Sequence, residues 1–252
     1  MSDRPVPAVP RSAATILVLR DDPFEVLMVR RHGGDQFASA LIFPGGQVDA
    51  DDRDDGWLPY VAEAGGCDPV ERALRIAACR ETFEEAGLLL ARDEGGASVP
   101  CPVATDAPFR DLVAASGGRL SLDDLVHFGH WITPEGAPKR YDTHFFLARA
   151  PGGQDAICDG SEAVALEWVA PRDVMARAAA GDLSILFPTR MNLKRLAESQ
   201  SVDDAIAAAR LRPRFTVLPR PERQANGIVV RIPQEAGYGE TENFHPFPPR
   251  AG

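Results

Sequence analysis

The alternation of apolar and polar residues along the chain predicts a protein built from both strands and helices. Runs rich in β-branched, aromatic and aliphatic residues stand between Gly- and Pro-rich turns, which is typical of strands. These predicted strands are residues 15–20, 24–31, 125–132, 143–148, 163–169 and 227–232. Three helices are predicted at residues 171–180, 189–198 and 202–211. Because the two kinds of element do not alternate regularly, we expect a mixed sheet packed between helices.

The strongest helix signal begins with a cap. Asp68 is a suitable N-cap, Pro69 suits the first helical position, and Glu71 would complete a capping box. Gly87 provides the signal that ends the helix. One face of this helix is apolar at helical spacing and is expected to pack on the core, through Ile76, Cys79, Phe83 and Ala86.

Length and proline content suggest how the chain is organised. A chain of 252 residues has room for one large domain. Residues 1–11 are expected to form a flexible leader, 12–211 the domain, and 212–252 a Pro-rich, extended C-terminal extension. Inside the domain, residues 47–67 are acidic, Gly-rich and without periodicity, so they are expected to form a long surface loop.

Composition narrows the range of partners and locations. The net charge of −10 argues against a polymeric nucleic acid partner. The four cysteines are scattered and show no zinc-finger spacing, which fits a reducing cytosol. No apolar run approaches the length of a membrane span, and no signal peptide is evident. We therefore expect a cytoplasmic protein that does not bind membranes.

Three carboxylates share one face of the first predicted helix. At about 100° per residue, Glu81 and Glu85 lie about 40° apart, and Glu84 lies about 60° to the other side of Glu81. Such a cluster costs stability unless a cation or a partner such as Arg80 neutralises it. Hard carboxylate oxygens favour Mg²⁺ or Mn²⁺ over zinc. The alternative is a solvated helix face, which is what most Glu-rich stretches form.

A resemblance to a known family favours the metal site. The run Arg80-Glu81-x-x-Glu84-Glu85-x-Gly87-Leu88, preceded by Phe43-Pro44-Gly45-Gly46, resembles the Nudix box of hydrolases that cleave nucleoside diphosphates linked to another moiety. The resemblance implies an α/β/α sandwich with a mixed β-sheet between helices, and a diphosphatase that depends on Mg²⁺ or Mn²⁺.

The resemblance also implies roles for individual residues. Glu81, Glu84 and Glu85 would hold the metal ion, the carbonyl of Gly46 would add a ligand, and Arg80 would orient the glutamates. The catalytic set is therefore Glu84, Glu85 and Arg80. The general base stays open between Glu84, Glu85 and the loop Gly160-Ser161-Glu162.

Two departures from the usual box stand out. The glycine of the box lies 14 positions before the arginine in the family, whereas Gly46 lies 34 positions before Arg80, which leaves 20 additional residues. A glutamate usually stands eight positions before the arginine, and here that position is Arg72. A contact near the metal is thus expected to be missing.

The long insertion resembles the coenzyme A diphosphatase branch of the family. Two further stretches, 129–134 and 138–146, resemble the same branch. The resemblance implies cleavage of coenzyme A or acyl-coenzyme A to adenosine 3′,5′-bisphosphate and (acyl-)4′-phosphopantetheine. The cations expected to bind this substrate are Arg30, Arg31, Lys139 and Arg140, although solvated surface is an equal alternative.

Alternative functions fit the same residues, whereas two weaker patterns indicate no site. ADP-ribose, a dinucleotide or a nucleotide sugar would serve the same chemistry as substrate, and a non-catalytic nucleotide- or protein-binding module is the alternative of another class. Residues 51–62 hint at an EF-hand, but two required oxygen ligands are absent. His127, His130 and His144 are interpreted as structural, for want of a carboxylate or cysteine at ligand spacing.

Overall fold

A mixed β-sheet lies at the centre of the structure, a computed structural model that describes residues 8–31, 40–62, 66–103, 106–158 and 163–247. The strands are β1 (Arg11–Arg20), β2 (Glu25–Arg31), β3 (Leu41–Ile42), β4 (Gly45–Gln47), β5 (Val61–Ala62), β6 (Ala91–Arg92), β7 (Arg119–Ser121), β8 (Val126–Ile132), β9 (Tyr141–Arg149), β10 (Ala163–Val169), β11 (Thr216–Val217), β12 (Arg220–Arg223), β13 (Gly227–Arg231) and β14 (Glu242–Pro246). The helices are α1 (Pro69–Ala86), α2 (Phe109–Ser116), α3 (Pro171–Ala180), α4 (Phe187–Leu196) and α5 (Val202–Leu211).

Within the described residues the central sheet has eight strands. Their order is β10-β2-β1-β9-β8-β11, while β3 pairs with β2 and β4 pairs with β1. The pairs β1–β9 and β8–β11 are parallel, and the other pairs are antiparallel. Two three-stranded sheets, β5-β7-β6 and β12-β13-β14, complete the strand structure of this part of the chain. The predicted mixed sheet is confirmed.

Helices cover both faces of the central sheet. Alternate residues of a strand point to opposite faces, so Ile16 and Val18 of β1 join the core under α1, whereas Leu17 and Leu19 join the core under α3, α4 and α5. The α/β/α sandwich is therefore confirmed. None of the described helices is long and apolar enough to span a membrane.

Helix α1 begins as its cap predicts, with one change. The side chain of Asp68 accepts a hydrogen bond from the Val70 amide at 2.7 Å. The expected return bond of a capping box is replaced, because the Glu71 carboxylate binds Arg75 at 2.7 Å and Arg214 at 3.1 Å. Burial acts to raise the pKa of Glu71, but these two arginines outweigh it and lower the pKa to about 2.

The described part of the inserted segment is more ordered than the aperiodic loop expected from the sequence, although most of its residues are exposed. Two short 3₁₀ helices span Asp51–Arg53 and Asp55–Tyr60, and the side chain of Trp57 is fully buried. The Trp57 ring lies 5.6 Å from that of Phe109 in α2, a helix that the sequence pattern did not indicate. Phe109 in turn lies 5.5 Å from Phe83 in α1. The insertion therefore packs, through Phe109, on the side of α1 that carries Phe83.

The C-terminal segment is also more structured than an extended tail. Strand β11 joins the central sheet, and β12, β13 and β14 form a sheet of their own. Tyr238 is 4% exposed, and its hydroxyl accepts a hydrogen bond from Trp131 and donates one to Asn192, at 3.0 and 2.9 Å. The division of the chain at residue 211 stays a prediction, and the strand predicted at residues 227–232 is confirmed as β13.

We expect Phe83→Ala to lower the free energy of unfolding by about 3–5 kcal/mol, because truncating a buried ring leaves a cavity. The ring of Phe83 is 5% exposed and contacts Phe109. Urea denaturation of the metal-free protein measures the change. Phe83→Leu is the matched control and should cost clearly less, since it keeps most of the apolar volume. An alanine variant as stable as the wild type would contradict the assignment of this helix face to the core.

Candidate active site

The guanidinium of Arg80 connects the inserted segment to the acidic face of α1. Its Nε and Nη2 atoms donate to the two carboxylate oxygens of Asp52, each at 3.0 Å. Its Nη1 atom donates to Glu81 at 2.8 Å and to Glu84 at 2.9 Å. Nη2 also donates to the carbonyl of Gln47 at 2.9 Å. One side chain thus fixes two glutamates of the helix relative to the strand and the loop that follows it.

The Gly45-Gly46 pair brings β4 against the same glutamates. A side chain at residue 46 would meet the carboxylate of Glu81, which would then have to move away from β4. The amide of Gly45 donates to Oε2 of Glu85 at 3.0 Å. Since Gly46 also pairs with Ala14 of β1, the central sheet holds this short strand in place. The structure therefore brings Gly46, Glu81 and Glu85 together.

The three glutamates differ in exposure. Glu85 is 2% exposed, and the side chains of Glu81 and Glu84 are 12% and 49% exposed. Burial raises the pKa of Glu81 to about 7; Arg80 acts against this rise, and the charges of Glu85 and Glu84 add to it. Burial likewise raises the pKa of Glu84, with Arg80 again opposing. The cluster carries more negative charge than Arg80 compensates, which suits a cation.

The donor set fits a hard divalent ion. Carboxylates and a backbone carbonyl are the ligands that Mg²⁺ and Mn²⁺ prefer. Arg80 now contacts one oxygen each of Glu81 and Glu84. Among the described residues, the three glutamates are not a group whose ligand atoms all lie within 4.8 Å of one another. Their role as metal ligands stays a prediction. It requires the three carboxylates to move closer together when an ion binds.

Asp52 is the acidic residue that the sequence spacing suggested to be missing. The usual glutamate stands eight positions before the arginine and the glycine 14 before it, so the glutamate is the sixth residue after the glycine. Counted from Gly46, that residue is Asp52. Asp52 is 1% exposed and binds Arg80 through both oxygens. Arg72 instead pairs with Asp55 at 2.7 Å. The insertion therefore follows the acidic position, and counting from the glycine would have found it.

The structure describes the side chains of three of the four predicted substrate cations, Arg30, Lys139 and Arg140. Arg140 is 8% exposed and donates to the carbonyls of Thr133 and Ala8 at 3.0 and 2.9 Å, which favours a structural role. Lys139 is exposed in the turn between β8 and β9. Arg30 lies two residues after Met28 in β2, so the two side chains share a face of the sheet. Met28 belongs to the core under α3, α4 and α5, which is the face away from α1. The side chain of Arg31 and the loop Gly160-Ser161-Glu162 lie outside the described residues.

A second cluster of polar side chains lies on the central sheet, and the sequence did not predict it. His130 and His144 lie near Asp142, which precedes His144 by two residues and therefore shares its face of β9. The interpretation of these histidines as lacking a carboxylate neighbour is wrong. Burial lowers the pKa of His144, and also that of nearby His127, to about 4. Both imidazoles are therefore neutral at pH 7.

Comparisons with known proteins agree on one kind of enzyme. A family model described as the NUDT19 Nudix domain matches residues 62–196. The chain is 29% identical to putative nudix hydrolase 7 of Caenorhabditis elegans over 77% of its own length, and it spans 62% of that protein. It is 26% identical to the acyl-coenzyme A diphosphatase NUDT19 of Gallus gallus, over 93% of this chain and 81% of that one. The crystal structure of a NUDIX hydrolase from Alicyclobacillus acidocaldarius matches with a TM-score of 0.70 and 30% identity, covering 81% of this chain and 99% of that one.

We expect Asp52→Asn to weaken Mn²⁺ binding by about 10- to 100-fold, the usual cost of losing a group that orients metal ligands. The amide keeps the volume of Asp52 but loses the charge that holds Arg80. Electron paramagnetic resonance of free Mn²⁺ during a titration measures the affinity. Asp51→Asn is the matched control, because its side chain is 53% exposed and lies 3.4 Å from Arg110 rather than near Arg80. Equal Mn²⁺ affinity in both variants would refute the orienting role of Asp52.

Proposed function

Because this chain belongs to the Nudix hydrolase family, and so is a hydrolase, we propose that its substrate is coenzyme A or acyl-coenzyme A. The products would be adenosine 3′,5′-bisphosphate and (acyl-)4′-phosphopantetheine. The similarity to an acyl-coenzyme A diphosphatase over most of the chain supports this choice of substrate. The observation that supports the hydrolytic chemistry is the Arg80 network, which holds Glu81 and Glu84, with Glu81 against the strand of Gly46.

The proposed cofactor is Mg²⁺ or Mn²⁺, held by Glu81, Glu84, Glu85 and the carbonyl of Gly46. When bound, such an ion neutralises the charge of a diphosphate and lowers the pKa of a coordinated water. Arg80 keeps its charge at all relevant pH values: burial acts to lower its pKa, but Asp52 and the glutamates outweigh this and raise it. It therefore orients the carboxylates without exchanging protons.

We favour Glu84 over Glu85 as the general base. The side chain of Glu84 is 49% exposed and can reach a water above the helix, whereas Glu85 is 2% exposed and accepts the Gly45 amide. Burial also raises the pKa of Glu84, which makes this carboxylate a stronger base than an unperturbed glutamate. Glu162, the third candidate, lies outside the described residues.

The proposed partner is a small nucleotide-type molecule rather than a polymer, in keeping with the net charge of −10. A cytoplasmic location is likewise a proposal, based on the cysteine pattern. Because backbone carbonyls occupy Arg140, the cations proposed to bind the substrate phosphates are Arg31 and Lys139.

A product assay tests the substrate. Coenzyme A, acetyl-coenzyme A, ADP-ribose, NADH and a nucleoside triphosphate are offered separately with Mg²⁺ or Mn²⁺, and the products are identified by mass spectrometry. We expect adenosine 3′,5′-bisphosphate from the two coenzyme A substrates, and no turnover when the metal is chelated. Turnover of ADP-ribose or NADH alone would overturn the substrate and keep the chemistry. Tight binding without turnover of any compound would favour a non-catalytic module.

We expect Glu85→Gln to abolish turnover while changing the free energy of unfolding by only about 1 kcal/mol. Glutamine keeps the volume of this buried residue and an oxygen for the Gly45 amide, so the cost is that of a weaker hydrogen bond. Steady-state kinetics and thermal unfolding measure the two effects. Glu71→Gln, on the same helix but bonded to Arg75 and Arg214, is the control and should stay active. Full activity of Glu85→Gln would sink the assignment of the metal site.

A further inference from the structure

His130, Asp142 and His144 lie side by side on the central sheet. Strands β8 and β9 pair so that His130 faces His144, and Ile132 faces Asp142. Cross-strand partners and residues two apart share a face, which places all three side chains together. This face is the one that α1 covers, because His144 also pairs with Ala14 of β1, a member of the core under α1. The group is therefore held by rigid strands rather than by loops.

The potential ligand atoms of these residues converge. One nitrogen of each histidine and one oxygen of Asp142 all lie within 4.8 Å of one another, a property that no other group of three His, Cys, Asp or Glu side chains shows among the described residues. Nε2 of His130 is hydrogen-bonded to Oδ1 of Asp142, and Nε2 of His144 lies 3.9 Å from the same oxygen. The two imidazoles stack with their centroids 3.9 Å apart.

Thr216 of β11 fixes the orientation of His130. Its hydroxyl lies 2.8 Å from Nδ1 of His130, which leaves Nε2 directed at Asp142. Histidines that bind metals are usually held in this way, with the second ring nitrogen hydrogen-bonded to an oxygen. Metal binding at Nε2 places the ring proton on Nδ1, where the Thr216 oxygen is positioned to accept it.

We propose that His130, Asp142 and His144 form a second divalent-metal site, one that selects a borderline transition-metal ion of the Zn²⁺ type. Two imidazoles and a carboxylate suit such ions, whereas Mg²⁺ prefers oxygen ligands throughout. Three protein ligands also leave a coordination position for water or for an anionic group. Binding would separate Asp142 from His130 and place the ion between the three side chains.

This site is separate from the glutamates of α1. Gly46 pairs with Ala14, and Ala14 pairs with His144, so two strand spacings separate Gly46 from His144. At about 4.8 Å per spacing the two Cα atoms lie roughly 10 Å apart. The two sites share no ligand and can be occupied independently. The proposal therefore does not rest on the proposed hydrolysis, and its test does not require activity.

Co²⁺ is the probe, because its visible absorption reports the ligand set. Full-length protein without a polyhistidine tag is titrated with Co²⁺ in the presence of excess Mg²⁺, which favours the oxygen ligands of α1. We expect one Co²⁺ per chain, without an absorption band from thiolate ligands, and its displacement by Zn²⁺. Glu85→Gln should bind Co²⁺ as the wild type does.

Variants of the three ligands and of Thr216 decide the outcome. His144→Gln and Asp142→Asn should each lose the site, and Thr216→Val should weaken binding by about 10-fold. His127→Gln is the matched control, since its ring lies 5.9 Å from that of His144 but outside the converging group. Thermal unfolding without metal shows whether each variant is folded, and His130→Gln replaces any that is not. The proposal would be overturned if the wild type bound no Co²⁺ or showed a thiolate band. It would equally be overturned if Glu85→Gln lost Co²⁺ binding, or if the folded ligand variants bound Co²⁺ as the wild type does.

Discussion

The ion pair between Arg80 and Asp52 is the contact on which the arrangement of the site depends. The two residues are 28 positions apart in the chain, and the pair ties the inserted segment to the helix that carries the glutamates. A carboxylate that is 1% exposed is tolerated because it is paired and hydrogen-bonded. The remaining donors of the guanidinium then reach Glu81, Glu84 and the carbonyl of Gln47. The planar guanidinium of Arg80 thereby fixes the positions of the Glu81 and Glu84 side chains.

The insertion supports this contact by also packing, through Phe109, on the side of α1 that carries Phe83. Trp57 is fully buried, and its ring continues through Phe109 to Phe83 on the helix. The indole nitrogen of Trp57 donates to the carbonyl of Asp51 at 3.0 Å, next to the carboxylate that holds Arg80. Burial of these rings supplies apolar stabilisation that an acidic, Gly-rich segment otherwise lacks. The additional residues are thus part of the scaffold of the site.

Local rules predicted the elements whose signals are local. The Asp68 cap, the Gly87 stop and the strand alternation gave α1 and the central strands within a few residues. The acidic segment 47–67 contains 3₁₀ helices that its composition did not indicate, and its buried Trp57 packs on a helix distant in sequence. The partners of Arg140 are backbone carbonyls, which no sequence spacing reveals. Contacts between distant segments are the information that a single sequence lacks.

The register of the sheet relates the two groups of polar side chains to each other. Gly46, Ala14, His144 and His130 are successive partners across four strands, and small residues occupy the first two positions. Glycine lets the carboxylate of Glu81 approach the strand, and Ala14 packs in the core under α1. The carboxylate of Glu81 therefore lies at the Gly46 end of this row of paired residues, and the imidazoles of His144 and His130 lie at the other end. Because the two donor types prefer different ions, one sheet face can carry both without competition.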